Sequence, residues 1–196
     1  MKEILISILV FFNGVRIFPL YLLLRFKQRV MCDSYALLFE KDIEHYNKSF
    51  WHVLYERPWY KSVLYHRCGD YSKVLKFLCG GYSLYIPSKN HTPIGGGIRL
   101  DHPYETILNA KSIGKNLTVV HLATIGSTGK SKNLPILGDN VYIGCDACIM
   151  GGIIIGNNVK IGANSVIVKN VPDNATVVGN PAMIVKLNGE RVNIRL

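Results

Sequence analysis

The hydrophobic residues in the C-terminal half of the chain recur with a period of six. In residues 137–168, LGDNVYIGCDACIMGGIIIGNNVKIGANSVIV, every sixth residue is aliphatic: Leu137, Ile143, Ile149, Ile155, Ile161 and Ile167. Neither an α-helix, with 3.6 residues per turn, nor a simple strand, with a period of two, requires this spacing. A hexapeptide repeat predicts a β-helix, in which each hexapeptide forms one short strand and one corner, and three of them complete a triangular coil.

The repeat extends upstream, with two irregular steps. The earlier aliphatic positions are Ile94, Leu100, Ile107, Ile113, Val119 and Ile125. The step from Leu100 to Ile107 is seven residues long and contains LDHPYET, whereas the step from Ile125 to Leu137 is twelve residues long and contains GSTGKSKNLP. We expect the longer stretch to loop out of the prism.

Candidate chemistry falls at the first irregular step, which contains Asp101 and His102. His121 has the same phase as His102 one coil later, once a one-residue insertion is removed, so both imidazoles are predicted to point outward on the same side of the prism. Asp139 has this phase too and could continue the column. A histidine beside an aspartate is a candidate general base, although a surface histidine beside a turn-forming aspartate fits the same spacing.

The N-terminal half has a different pattern. Residues 1–30 are apolar and then basic, which predicts either a helix buried against the rest of the protein or an interfacial anchor on anionic lipid. Residues 31–83 predict two or three amphipathic helices, the last one beginning near Pro58 and ending at Gly80–Gly81. The predicted organisation is a leader (1–30), an α-helical region (31–83), a β-helix domain (84–185) and a C-terminal tail (186–196).

Composition narrows the class of protein. The chain has 196 residues, of which 48% are apolar and 18% are charged, and these values are typical of a globular protein rather than a disordered one. The net charge of +10 suits an anionic ligand, anionic lipid or nucleic acid equally well.

The odd number of cysteines indicates a reducing compartment. Cys145 and Cys148 form a lone C-x-x-C without further ligands, which we interpret as small residues of the coil rather than a zinc or redox site.

Three stretches resemble the hexapeptide-repeat acyltransferases, specifically their serine acetyltransferase branch. GGGIRLDH resembles the segment that ends in the family's catalytic Asp-His, TIGSTGKS resembles the segment before its extruded loop, and IGANSVIVKNVPDNATVVGNPA resembles its C-terminal signature. The resemblance covers residues 84–185. It implies a mainly β fold, namely a left-handed parallel β-helix preceded by a short α-helical region, and a homotrimer.

The same resemblance implies transfer of an acetyl group from acetyl-CoA to a hydroxyl group. Asp101 and His102 are then catalytic, with His102 removing the proton from the acceptor, and His121 and Asp139 are secondary candidates. No metal and no nucleic acid are implied. The positions that match the family's CoA contacts are Gly126, Gly144, Ala163 and Lys169.

Departures from the branch favour a different acceptor. Tyr85 stands where the branch has a second aspartate, and Asn133-Leu134-Pro135 replaces its Arg-His-Pro at the loop exit, which removes a bidentate partner for the carboxylate of serine. With the apolar-basic leader, these features resemble acetyltransferases of surface-polysaccharide clusters. We therefore predict O-acetylation of a sugar hydroxyl by a cytoplasmic enzyme, whose residues 1–30 either contact the membrane or pack on the protein. Serine acetylation is the alternative, and a non-catalytic or metal-binding β-helix is a minor one.

Overall fold

The structure, a computed structural model, describes residues 11, 12, 15, 59–68, 86, 92–129 and 133–196. The predictions for the leader at residues 1–30 and for most of the helical region at residues 31–83 therefore lie outside the described residues. Within the part that is described, the search for a helix both long and apolar enough to cross a membrane finds none.

Among the described residues from 59 onward, one helix precedes a series of short strands. Helix α1 spans Tyr60–Cys68 and lies in the region predicted to be helical. The strands are β1 (Arg99–Asp101), β2 (Ile107–Leu108), β3 (Ser112–Ile113), β4 (Thr118–Val120), β5 (Thr124–Gly126), β6 (Ile136–Leu137), β7 (Tyr142–Ile143), β8 (Cys148–Met150), β9 (Ile154–Ile155), β10 (Lys160–Ile161), β11 (Val166–Ile167), β12 (Ala175–Val178), β13 (Met183–Leu187) and β14 (Glu190–Arg195).

The strands form three sheets, one on each side of a triangular prism. The first sheet has the order β1-β4-β7-β10-β12-β13-β14, the second β2-β5-β8-β11, and the third β3-β6-β9. Up to β12 all neighbours in these sheets pair in parallel, and each coil adds one strand to each side. Strands β13 and β14 continue the first sheet as antiparallel neighbours. This is the parallel β-helix that the period of six predicts.

Three edges separate the sheets and position the polar residues. The first edge joins the first sheet to the second, the second edge joins the second sheet to the third, and the third edge leads back to the first sheet. The first edge comprises residues 102–106, 121–123, 144–147 and 162–165, the second comprises 109–111, 127–129, 133–135, 151–153 and 168–170, and the third comprises 114–117, 138–141, 156–159 and 172–174.

The core of the prism consists of the periodic aliphatic residues. Those in the regular part are exposed by 2% or less, as predicted: Leu137, Ile143, Ile149, Ile155, Ile161 and Ile167. A second buried set comes four residues after these positions and includes Val141, Ala147 and Val159. Because the inward side chains of successive coils stack on one another, the repeat buries a continuous core along the prism.

The first irregular step differs from the prediction. Leu108 is fully buried while Ile107 is 36% exposed, so Leu108 is the inward residue of the second sheet. The spacing is therefore eight residues from Leu100 to Leu108 and five from Leu108 to Ile113, rather than seven and six. Strand pairing agrees, because Arg99 pairs with Thr118, 19 residues later, whereas Ile107 pairs with Thr124, 17 residues later. The first edge of the first coil thus contains two extra residues.

The second irregular step is the predicted loop. The twelve residues from Ile125 to Leu137 lead from the second sheet to the third, which six residues achieve between Ile149 and Ile155 in the next coil. The step is therefore six residues longer at this edge, and residues 130–132 within it lie outside the described part of the chain.

The third edge carries a ladder of asparagines in the left-handed conformation, with φ between 52° and 58°. The side-chain amide of each asparagine donates to the side-chain oxygen of the next, at 2.9 to 3.2 Å. Asparagine is one of the few residues other than glycine that adopts this conformation readily. The ladder comprises Asn116, Asn140, Asn158, Asn174 and Asn188.

Helix α1 packs on the beginning of the prism. The ring nitrogen Nε2 of His66 donates to the carbonyl oxygen of Thr92 at 2.8 Å, and the guanidinium of Arg67 donates to the carbonyl oxygens of Ile94 and Gly95. Four side chains of α1 are buried in the same hydrophobic cluster as the first coil: Tyr60, Val63, Leu64 and Tyr65. Residues before the repeat therefore have a fixed position relative to the first edge.

Candidate active site

Asp101 and His102 lie where β1 meets the first edge. Leu100 points into the core, so the next residue, Asp101, projects from the outer side of the strand. The side chain of His102 is 69% exposed and that of Asp101 is 40% exposed. The imidazole Nδ1 is 3.8 Å from the Asp101 carboxylate, which is an ion-pair distance rather than a hydrogen bond. Contacts of this kind commonly tighten when a substrate binds.

The first edge of the first coil contains two residues with left-handed backbone. His102 and Glu105 both have φ of 48°, in the region that side-chain-bearing residues rarely occupy, whereas the later coils have one such residue each at this edge: Leu122, Asp146 and Asn164. The amide of Tyr104 donates to the carbonyl oxygen of His102 at 2.6 Å, and the Thr106 hydroxyl donates to the carbonyl oxygen of Tyr104. Strained backbone of this kind is concentrated at functional sites.

Trp59 flanks the imidazole of His102. The two ring centroids are 5.9 Å apart, and the ring planes meet at 37°. The sequence reasoning did not identify this residue, because Trp59 precedes His102 by 43 positions and no spacing rule connects a helix start with an edge of the prism. A tryptophan directly before a helix start was the only signal available.

His121 lies at the first edge one coil further along. Asp101 pairs with Val120, so His102 and His121 follow paired residues of adjacent parallel strands. Further along the same edge, the Asp146 amide donates to the carbonyl oxygen of His121 at 3.1 Å. The structure therefore brings both histidines to one edge.

Asp139 is not part of this column, contrary to the sequence-based expectation. It lies at the third edge, and its carboxylate accepts a hydrogen bond from the amide of Lys115 at 2.7 Å. Its own amide donates to the side-chain oxygen of Asn157 at 2.8 Å. The prediction was wrong because it required the twelve-residue step to pass the third sheet and reach the first. The step leads from the second sheet only to the third. Residues after Leu137 are therefore one edge away from the column of His102.

The residues that match CoA contacts lie on both borders of the second sheet. Gly144 and Ala163 are at the first edge, near His121, while Gly126 and Lys169 are at the second edge or next to it. A methyl group at Gly144 would approach the amide nitrogen of Ala163 to 2.6 Å, so this glycine is required for coil stacking. At Gly126 the nearest atom to such a methyl group would be the sulfur of Met150, at 3.7 Å, which leaves ordinary room.

Cys145 and Cys148 are free thiols at the first edge and on the outer side of β8, respectively, and both are partly buried. The inward residues are their neighbours Ala147 and Ile149. Burial raises the pKa of the Cys148 thiol above its ordinary value, and the nearby Asp146 carboxylate raises it further. In the described part of the chain, no three His, Cys, Asp or Glu side chains are grouped in a way that could hold a metal ion.

Comparison with known proteins agrees with this geometry. Residues 135–169 match the family model for the bacterial transferase hexapeptide (six repeats). The serine acetyltransferase of Staphylococcus xylosus is 37% identical over 145 residues, which are 72% of this chain and 65% of the relative. That of Bacillus pumilus is 34% identical over 148 residues, which are 74% of this chain and 66% of the relative. The chain thus spans just under two thirds of the length of these curated relatives.

Solved structures give the same relationship. Soybean serine acetyltransferase has a TM-score of 0.63 and 30% identity, covering 79% of this chain and 66% of that one. Serine acetyltransferase from Brucella abortus has a TM-score of 0.68 and 26% identity, covering 90% and 74%. These neighbours confirm the predicted left-handed parallel β-helix with a helical region before it.

The comparisons correct the predicted acceptor. The prediction of a glycan acceptor is wrong, because the relatives that match over most of the chain are serine acetyltransferases. That prediction gave more weight to a few departures near the loop than to the likeness along the whole prism. Of these positions, Tyr85 lies outside the described residues, and Asn133 lies at the end of the extruded loop.

Proposed function

Because the chain belongs to the hexapeptide-repeat acyltransferases, on their serine acetyltransferase branch, we propose that it transfers an acetyl group from acetyl-CoA to the hydroxyl group of L-serine. The products are O-acetylserine and CoA. The single observation that supports this most strongly is the solvent-open imidazole of His102, with its Nδ1 3.8 Å from the Asp101 carboxylate, at a distorted edge of the prism.

His102 acts as the general base. A serine hydroxyl is a poor nucleophile, and an imidazole that takes its proton allows the oxygen to attack the thioester carbonyl. The tetrahedral intermediate then collapses, the carbon–sulfur bond breaks, and the imidazolium returns the proton to the leaving thiolate. Asp101 orients the ring through Nδ1, so that Nε2 faces the substrate. Backbone N–H groups of a neighbouring coil stabilise the oxyanion.

Acetyl-CoA binds along the second sheet, between the first and second edges. Gly126, Gly144 and Ala163 keep side chains small along this path, so an extended chain can approach the backbone. Lys169 is exposed at the second edge, where its ammonium suits a phosphate of CoA. The alternative base is His121, which lies with His102 at the first edge.

The serine carboxylate requires a cation, and we assign this role to Arg99. Position 133, at the exit of the loop, is asparagine in this chain, so the arginine that the branch has there is absent. Arg99 precedes Asp101 by two residues on β1, and side chains two apart on a strand leave the same face. A guanidinium binds a carboxylate through two parallel hydrogen bonds.

The enzyme acts as a homotrimer in the cytoplasm, where acetyl-CoA is available. In the assembly that the resemblance implies, CoA lies in a cleft between two prisms, so a monomer has only part of each site. Analytical ultracentrifugation tests this point. A species of three chain masses is expected, whereas full activity in a species of one chain mass would contradict the trimer.

The reaction is tested by incubating the purified protein with acetyl-CoA and L-serine. Thiol release is followed with a disulfide reagent, and O-acetylserine is identified by mass spectrometry. His102→Asn is expected to lower kcat by roughly a hundredfold or more, and asparagine tolerates the positive φ at this position. His121→Asn tests the alternative base, since the larger of the two losses identifies the base. No thiol release with millimolar L-serine from a correctly folded protein would contradict the proposal.

Arg99→Met separates acceptor binding from the chemical step. We expect the KM for L-serine to rise about tenfold or more, because a bidentate charged contact contributes about 1.5–3 kcal/mol. L-Serinamide, which lacks the carboxylate, is the matched control substrate. Its kcat/KM should change little between the two proteins. An equal loss with both substrates would show that Arg99 does not bind the carboxylate.

A further inference from the structure

The indole of Trp59 is packed beside His102, the proposed base. Its centroid is 5.9 Å from that of the His102 ring, with an angle of 37° between the planes. The remainder of the imidazole is open, since 69% of the His102 side chain is exposed. One flank of the ring is therefore held by protein while the other flanks are free for substrates.

The contact that Trp59 makes with His102 is a contact between two rings. Its indole nitrogen Nε1 is buried and has no hydrogen-bond partner among the described residues. A buried, unpaired donor is unfavourable, and a phenylalanine or leucine would fill space here without it. The indole also has the strongest attraction of any side chain for a cation at its face.

The position of the indole is fixed by α1. The Ser62 amide donates to the carbonyl oxygen of Trp59 at 3.0 Å, so Trp59 immediately precedes the first turn of the helix. The helix is in turn bonded to the first coil through His66 and Arg67. A ring attached in this way restricts the orientations open to the imidazole of His102.

We propose that Trp59 is a positioning residue for His102, restraining the neutral imidazole and stabilising the imidazolium that forms during proton transfer. The catalytic part of this inference rests on the proposed function, whereas the ring contact does not. Two groups lie beside the imidazole, the Asp101 carboxylate of β1 and the indole before α1, and His121 follows the paired residue of the next coil. A positive charge that forms on the ring during proton transfer is attracted by the carboxylate and by the face of the indole.

The kinetic test compares Trp59→Leu, Trp59→Phe and Val63→Ala. Trp59→Leu is expected to lower kcat about two- to fivefold, as the loss of an exposed cation–π contact implies, with both KM values nearly unchanged. Trp59→Phe should recover most of the loss. Val63 is buried on the same helix without touching His102, so Val63→Ala should lower Tm and leave kcat near that of the parent. Parental kcat in Trp59→Leu, or an equal loss of kcat in Val63→Ala, would overturn the proposal.

A spectroscopic test does not depend on turnover. The chain has two tryptophans, and Trp51→Phe leaves Trp59 as the only one. An imidazole in contact with an indole quenches its fluorescence, so at one fixed pH His102→Asn should raise the emission of Trp59. His121→Asn leaves the ring beside Trp59 in place and is the control, which should keep the parental emission.

The two proposals can fail separately. Inactivity toward L-serine together with a rise of Trp59 emission in His102→Asn would contradict the proposed function and support the ring contact. Unchanged emission in His102→Asn, or an equal rise in His121→Asn, would overturn the role of Trp59 whatever reaction the enzyme catalyses.

Discussion

Gly144 and Gly126 are both predicted to contact CoA, yet their surroundings assign them different roles. At Gly144 an added methyl group would meet backbone atoms of the next coil at 2.6 to 3.0 Å, and backbone cannot move aside without disturbing the coil stack. At Gly126 the nearest neighbour is a flexible methionine sulfur at 3.7 Å. Neither glycine has a positive φ, so the effect of an alanine at either position depends only on the space around the added methyl group.

Substitution of these glycines separates stacking from binding. Gly144→Ala should lower the free energy of unfolding by about 1–3 kcal/mol, the usual cost of overpacking. Gly126→Ala should change it by less than about 0.5 kcal/mol and raise the KM for acetyl-CoA, because the methyl group protrudes where the donor is proposed to lie. Thermal unfolding and steady-state kinetics on both variants provide the measurements. An unchanged KM in Gly126→Ala would remove this residue from the CoA path.

Cys148 provides a prediction about pH. Burial and the Asp146 carboxylate both raise its thiol pKa, so less thiolate is present at a given pH, and alkylation by iodoacetamide should be slow until the pH is well above neutral. By linkage, a pKa raised by folding means that stability is full below the pKa of the unfolded thiol. That stability is lost as the pH rises through the pKa of the folded one.

Asp146→Asn tests the two causes of this shift. Asparagine fits the φ of 55° at this position and removes the charge. The pH midpoint of Cys148 alkylation, followed by peptide mass spectrometry, should move to lower pH but remain above that of an ordinary thiol, because burial is the larger cause. Asp139→Asn, which removes a carboxylate at the third edge, is the control and should not move the midpoint. An unchanged midpoint in Asp146→Asn would show that the carboxylate does not act on Cys148.

At the scale of the elements, the third edge depends on its asparagine ladder. Asn158 donates to Asn174 and accepts from Asn140, both at 2.9 Å, while its backbone has φ of 56°. Asn158→Gly removes both hydrogen bonds and keeps the conformation accessible. Asn158→Ala removes the same bonds and adds the cost of a left-handed alanine, about 1–2 kcal/mol.

These two variants should therefore differ in a fixed order. We expect Asn158→Gly to lower the free energy of unfolding by about 1 kcal/mol, since the lost bonds are exposed, and Asn158→Ala to lower it by about 2–3 kcal/mol. Chemical denaturation measures both. If the alanine variant were as stable as the glycine variant, the backbone conformation would not be what selects asparagine at this edge.

The sequence predicted these elements well where a hydrophobic pattern is compatible with only one structure. A six-residue repeat with an aliphatic residue at each step has no other way to bury its apolar side chains, so the three sheets followed. The predicted inward residue was wrong at Ile107, because either of the two adjacent aliphatic residues, Ile107 or Leu108, could point inward. The predicted position of Asp139 was wrong because the length of a loop does not reveal how many sides of the prism the loop spans. The contact of Trp59 with His102 depends on how α1 docks, which no local pattern encodes.

At the scale of the whole molecule, the prism is a parallel stack whose last coil would expose a sheet edge. The antiparallel strands β13 and β14 extend the first sheet beyond β12, and an antiparallel addition of this kind protects an edge from pairing with other chains. Ala182 and Ile184 are buried there as part of the same core cluster as Val177. At the other end, α1 contributes its buried side chains to this cluster. The stack is thus covered by elements that do not follow the six-residue repeat.

Two isoleucines of the hairpin test how much this cover contributes. Ile184 is 4% exposed and Ile194 is 45% exposed, and they are cross-strand partners of the same residue type. Ile184→Ala should lower the free energy of unfolding by about 2–4 kcal/mol, through lost burial and a residual cavity. Ile194→Ala should cost less than about 1 kcal/mol, since half of its side chain already faces water. Denaturant titration gives both values, and light scattering during unfolding reports association through the uncovered edge. Equal costs for the two variants would mean that the hairpin does not seal the core and that the last coil is stable without it.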